Sequence, residues 1–97
     1  MLLDDAKKSV RASSSYFDTE IQDLIDAAKI DLNIAGVNKI EDTDPLVKRA
    51  VILYVKANFG SSDDSEQNRD SYNMLKSSLA LSSKYNTQAE ESTDTEE

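Results

Sequence analysis

Residues 44–60 read Asp44-Pro45-Leu46-Val47-Lys48-Arg49-Ala50-Val51-Ile52-Leu53-Tyr54-Val55-Lys56-Ala57-Asn58-Phe59-Gly60, and the fold turns on whether this stretch is strand or helix. Ala50 to Val55 is an unbroken apolar run. Its β-branched content favours a strand, and periodicity alone does not separate a buried strand from a buried helix. The boundaries decide it. Asp44 is an N-cap residue followed by proline at N1, where the missing N–H costs nothing, and Gly60 closes the far end. The span between them is roughly 22 Å long as a helix at 1.5 Å per residue, and it exceeds a typical strand. A helix apolar nearly all round is buried on several sides, so this one is either the central core helix or a helix shared with a neighbouring subunit.

Upstream, Ile21, Leu24, Ile25, Ala28 and Leu32 fall at i, i+3, i+4, i+7 and i+11, an amphipathic stripe that predicts a helix over 18–35. Asp18 is its expected N-cap, with Ser15 and Thr19 able to serve, and Gly36 its left-handed C′ residue. Leu3, Ala6 and Val10 mark a first helix over 2–12, with Asp4 and Asp5 early and Lys7, Lys8 and Arg11 late, as the helix dipole favours. Ser13-Ser14-Ser15 then breaks it, because serines compete for backbone hydrogen bonds. The loop 37–44 is pinned by Val37 and Ile40. Downstream of the polar Ser61-Ser62-Asp63-Asp64, a fourth helix over 65–83 starts at Asp64 or Ser65 and places Tyr72, Leu75 and Leu79 on one face. The expected architecture is all-α: a small bundle of about four helices in a domain over residues 1–85, with a disordered acidic tail over 86–97. Its expected core is Leu24, Ile25, Ala28, Val47, Ala50, Leu53, Tyr54, Leu75 and Leu79.

Ninety-seven residues with two glycines, one proline and no tryptophan make one domain near the low end of self-sufficient cores, which would gain from association. Cysteine and histidine are both absent. That excludes disulfides, thiolate zinc sites and cysteine nucleophiles, and removes the commonest general base and transition-metal ligand. No apolar run approaches a membrane span and no signal peptide is visible, so a cytoplasmic setting is expected. The net charge of −8 is uneven. Glu90, Glu91, Asp94, Glu96 and Glu97 put −5 on the tail and leave −3 on the body, a balance that disfavours tight phosphate-backbone binding.

No motif carries chemistry. The acids at Glu41-Asp42-Asp44 and Asp63-Asp64-Glu66 lack the glycine turn and terminal bidentate Glu of an EF-hand, and they sit before helix N-termini where the dipole favours them. The serine-rich stretches have no base to activate a nucleophile. Lys48-Arg49 belongs to a solvated face. Of the tyrosines, Tyr54 and Tyr72 lie inside helical patterns, while Tyr16 and Tyr85 flank helices and read as interface anchors. The expectation is a protein-binding, non-enzymatic chain with no cofactor and no metal.

Read together, Asp18-Thr19-Glu20-Ile21-Gln22-Asp23-Leu24-Ile25-Asp26-Ala27-Ala28-Lys29, Asp42 to Gly60, Leu75-Lys76-Ser77-Ser78-Leu79-Ala80-Leu81 and Tyr85-Asn86-Thr87 resemble the phage head–tail connector family, also called head-completion or adaptor proteins and labelled DNA-packaging proteins. The likeness covers nearly all of residues 1–87 and lies in order and spacing rather than in a chemical signature; residues 88–97 run past it. It implies a helical subunit of a dodecameric ring beneath the portal protein at the capsid vertex, which extends the DNA channel and offers a platform to a tail-completion or stopper protein. The implied location is the virion head–tail interface, reached from the host cytoplasm during assembly, with no specific nucleic-acid binding and no membrane. On that reading Leu79, Leu81, Tyr85 and Tyr16 are the expected partner-binding residues, with 80–87 docking on the portal or a neighbouring subunit. Asp63, Asp64, Glu66 and Asp70 are the expected channel lining, since clustered Lys or Arg would grip sliding DNA. The alternative is an acidic regulator or DNA mimic, motivated by the tail. A DNA-end-binding packaging factor is a third option that the charge opposes.

Overall fold

The run from Pro45 is helical. The computed structural model describes residues 2–59 and 64–86, and among these the order is α1 (Leu2–Ser9), a 3-10 turn (Ser15–Phe17), α2 (Asp18–Ala35), α3 (Pro45–Asn58), α4 (Ser65–Leu81) and α5 (Ser83–Asn86), with no strand. Asp44 caps α3 as its sequence predicts: one carboxylate oxygen accepts the N–H groups of Leu46 at 2.9 Å and Val47 at 3.2 Å. β-branched residues tolerate the helix because burial outweighs their small propensity cost. Val47, Ala50, Val51, Leu53, Val55 and Ala57 are all buried. At the end of α2, Gly36 adopts φ 111° and donates to the Asn33 carbonyl while Val37 donates to that of Leu32, which closes the helix in a Schellman turn.

Three boundaries differ from the expected ones, each for a local reason. The first helix stops at Ser9 rather than residue 12, because Arg11 takes φ 59° and the Ala12 N–H reaches back to the Lys7 carbonyl at 2.9 Å. This is another Schellman closure, with arginine in the position that usually takes glycine. Asp18 is not the N-cap of α2. It lies in the first turn and meets Lys7 at 2.7 Å, while the Ser14 hydroxyl accepts from the Tyr16 N–H and caps the preceding turn. The fourth helix ends at Leu81, not 83. Ser82 is extended (φ −85°, ψ 127°) and its hydroxyl accepts from the Lys84 N–H, starting α5. Gly60, the expected stop of α3, and residues 87–97 of the expected tail lie outside the described residues, whereas Asn86 is held in the body.

α3 packs against α1, α2 and α4 and is the centre of the bundle. Ile25, Ala28, Val47, Ala50, Leu53 and Leu79 are buried as expected; Leu24, Tyr54 and Leu75 are only partly buried and pack at the core's edge. Ile21, Leu32, Val37, Val51 and Val55 fill the remaining centre with no measurable exposure. Because α3 touches three helices, apolar residues all round it have somewhere to go. α2 and α4 lie side by side and run parallel: Asp31 meets Tyr72 and Lys76, and five residues on, Gly36 faces Ala80. No helix among the described residues is long and apolar enough to cross a membrane.

Candidate functional surface

With their core faces turned inward, α2 and α4 present outer stripes of the same order. On α2, Asp23, Ala27, Ile30 and Ile34 follow at i, i+4, i+7 and i+11, with Asp26 beside them. Ile30 and Ile34 are 62% and 78% exposed. On α4, Glu66, Asp70, Met74, Ser77 and Leu81 form the corresponding stripe, with Met74 at 73% and Leu81 at 84% exposure. Each helix is acidic in its first half, where the dipole favours carboxylates, and apolar in its second. Since the two run parallel, the acids gather toward one end of the subunit and the exposed apolar side chains toward the other. Single exposed apolar residues are ordinary, but here four large ones lie toward one end of two adjacent helices.

α3 carries the opposite charge. Pro45, Arg49, Ile52 and Lys56 fall at i, i+4, i+7 and i+11 on its outward side, and neither Arg49 nor Lys56 has an acidic partner among the described residues. Four lysines are committed to acids: Lys7 to Asp18, Lys29 to Asp42 at 2.7 Å, Lys48 to Asp5 at 3.3 Å and Lys76 to Asp31 at 3.0 Å.

The sequence-predicted contact residues separate. Leu79 is 2% and Tyr85 6% exposed, both within the subunit core. Tyr85 is a latch: its hydroxyl donates to the Asp44 carboxylate at 3.0 Å, and its carbonyl accepts from the backbone N–H groups of Asn38 and Lys39. Asn38 donates through its side-chain amide to the Asn86 carbonyl at 2.7 Å, and Asn86 donates to that of Ala80. The segment 80–86 is thus packed on its own chain, with Leu81 pointing out. Tyr16, 83% exposed, stands at the start of α2 and therefore at the opposite end from Leu81. Of the expected channel acids, Asp64, Glu66 and Asp70 are exposed at the start of α4, and Asp63 lies outside the described residues. Sequence reasoning missed Ile30 and Ile34 as surface residues, although their offset from the Ile21–Leu32 stripe carries that signal.

Two aspartates are tuned by their partners. Burial raises the Asp31 pKa, but hydrogen bonds from the Tyr72 hydroxyl (2.5 Å) and from Lys76, with the lysine's charge, outweigh it and leave it lowered. Burial and then the Asp31 carboxylate push the Tyr72 phenol upward. Asp44 is likewise lowered: desolvation is outweighed by the Val47 N–H, the Tyr85 hydroxyl, the Leu46 N–H and the charge of Lys84. Tyr85 is raised by desolvation and by Asp44. Both pairs join helices, and Asp31, Tyr72 and Lys76 also line a small cleft of about 160 Å³ with Tyr54, Asn58 and Arg69. An open cleft of about 480 Å³ lies beside the end of α1, lined by Asp4, Lys7, Lys8, Arg11, Ala12 and Ser13. No group of three or more acids among the described residues is arranged to hold a metal ion.

A model of a protein family described as phage connector protein matches residues 2–86. No curated protein and no solved structure matches the chain.

Proposed function

The chain belongs to the phage connector protein family, and from that membership we propose that it is a head–tail adaptor whose copies form a ring, dodecameric in the virion, beneath the portal. The ring extends the DNA channel and offers a platform to the tail-completion or stopper protein that follows. The work is structural, without catalysis or cofactor, and assembly begins in the host cytoplasm. The family match over residues 2–86 carries this reading. The surface supports it: a subunit with Met74 and Leu81 exposed at one end and Tyr16 exposed at its other end has contacts to offer above and below.

In this arrangement Leu81 meets one neighbour in the stack and Tyr16 the other, while Leu79 and Tyr85 act through the fold. The acids Asp64, Glu66 and Asp70 face the channel, where carboxylates repel phosphates and leave DNA free to slide.

The test is sedimentation of the full chain with and without portal rings of its own phage. Wild-type subunits should co-sediment with the portal, and Leu81→Asp should bind more weakly while melting like the parent. Absence of binding to the portal and to tail-side rings, together with displacement of duplex DNA from a DNA-binding protein, would replace this reading with the acidic DNA-mimic alternative.

A further inference from the structure

The outer faces of α2 and α3 are complementary in three respects. Both are built at the same spacing, Asp23-Ala27-Ile30-Ile34 on α2 and Pro45-Arg49-Ile52-Lys56 on α3. Each carries isoleucine beside its charges, Ile30 and Ile34 after the acids on α2 and half-buried Ile52 between the bases on α3, and the charges are opposite: Asp23 and Asp26 on one, Arg49 and Lys56 on the other. None of these four has an oppositely charged partner among the described residues; Asp26 accepts only a hydrogen bond from Gln22. Each stripe points away from the core the two helices share, so they lie on different faces of one subunit and cannot satisfy each other within it.

We propose that the α3 ridge of one copy docks on the α2 stripe of the next copy of this chain. The occupant follows from charge: an acid–apolar face and a base–apolar face of equal periodicity on one molecule match each other in a second copy. Two α2 faces brought together would oppose their aspartates, and two α3 faces their cations, so a two-fold symmetric contact is disfavoured. A contact between different patches is head-to-tail, and it propagates until the rotation closes it into a ring. The inference rests on the adaptor reading above and adds the surface by which subunits join.

Two charge-reversed variants test it, Arg49→Glu/Lys56→Glu and Asp23→Lys/Asp26→Lys. All four positions lie outside the core, and circular dichroism checks that both variants stay helical. Analytical ultracentrifugation of the wild type should show concentration-dependent association that weakens as salt rises. Each variant alone should lose association by roughly tenfold or more, because every contact then pairs like charges. An equimolar mixture should recover it, since the acidic α3 of the first variant meets the basic α2 of the second, and the unaltered α2 of the first meets the unaltered α3 of the second. A wild type that stays monomeric at every concentration overturns the proposal. So does a variant that assembles normally alone, or a mixture that fails to recover. Portal binding, measured on the same samples, separates the two claims. Normal portal binding with no charge effect leaves the adaptor reading standing and removes this surface; charge rescue without portal binding does the reverse.

Discussion

Tyr72 and Tyr85 each donate a hydrogen bond to an aspartate forty-one residues earlier, yet the two pairs hold different parts of the molecule. Tyr72–Asp31 lies mid-helix between α2 and α4. Its carboxylate also takes Lys76, the Tyr72 ring stands edge-on to Tyr54 at 5.2 Å, and the pair sets how the two parallel helices align. Tyr85–Asp44 lies at the chain's end. Its carboxylate already caps α3 through two backbone N–H groups, so the phenol ties the C-terminal turn to the start of the central helix. One anion is balanced by a lysine and a phenol, the other chiefly by backbone donors at a helix N-terminus. The same chemistry therefore fails differently in the two places.

Leu53→Ala should have the largest effect, a loss of about 2–5 kcal/mol, because it opens a cavity where α3 meets its neighbours and undermines both pairs at once. Urea unfolding checks it, and a parental midpoint would mean that the α3 face is misassigned. Asp31→Ala leaves the hydroxyl of a tyrosine that is only 3% exposed without its acceptor, at a cost of about 1–3 kcal/mol. Adding Tyr72→Phe should return part of that loss, and no recovery would show that the hydroxyl is not the source. Asp44→Ala removes a cap and should cost about 1 kcal/mol, with hydrogen exchange faster at the Leu46 and Val47 amides. Equal protection in the variant would sever the cap from the latch.

The pH profile compares the pairs without mutation. Asp31 and Asp44 both titrate below the ordinary 3.8 in the folded chain, so the stability they supply is complete above that value and is lost as pH falls through their lowered pKa values. Tyr72 and Tyr85 are raised above 10.0, so their contribution is complete below pH 10 and declines as the phenols ionise at higher pH. With neither histidine nor cysteine, thermal midpoints should be flat between about pH 5 and 9. Asp31→Asn should shrink the acid limb. The smallest effect belongs to a site remote from either pair: Arg11→Gly relieves the left-handed backbone and should stabilise by about 0.5–1 kcal/mol in the same melts.

The helices, the Asp44-Pro45 start and the Gly36 stop were legible because their causes are local: side-chain periodicity, one capping carboxylate and one residue without a Cβ lie within a few positions of what they control. The turn at Arg11 was not, since arginine does not announce a left-handed backbone and only the docking of Ala12 into the core makes that turn worthwhile. Tyr85 read as an interface anchor because a terminal aromatic beyond the last periodic residue has no neighbour in sequence to bury it; its partners at Asn38 and Asp44 exist only after α3 and α4 have packed. The surface divides the same way. Charge and hydropathy by themselves determined that the chain is an acidic, histidine-free helical bundle. Only the tertiary structure decided that α2 and α4 run parallel, and a parallel pair is what brings acids to one end and exposed apolar side chains to the other, because helix direction is set by packing between distant segments.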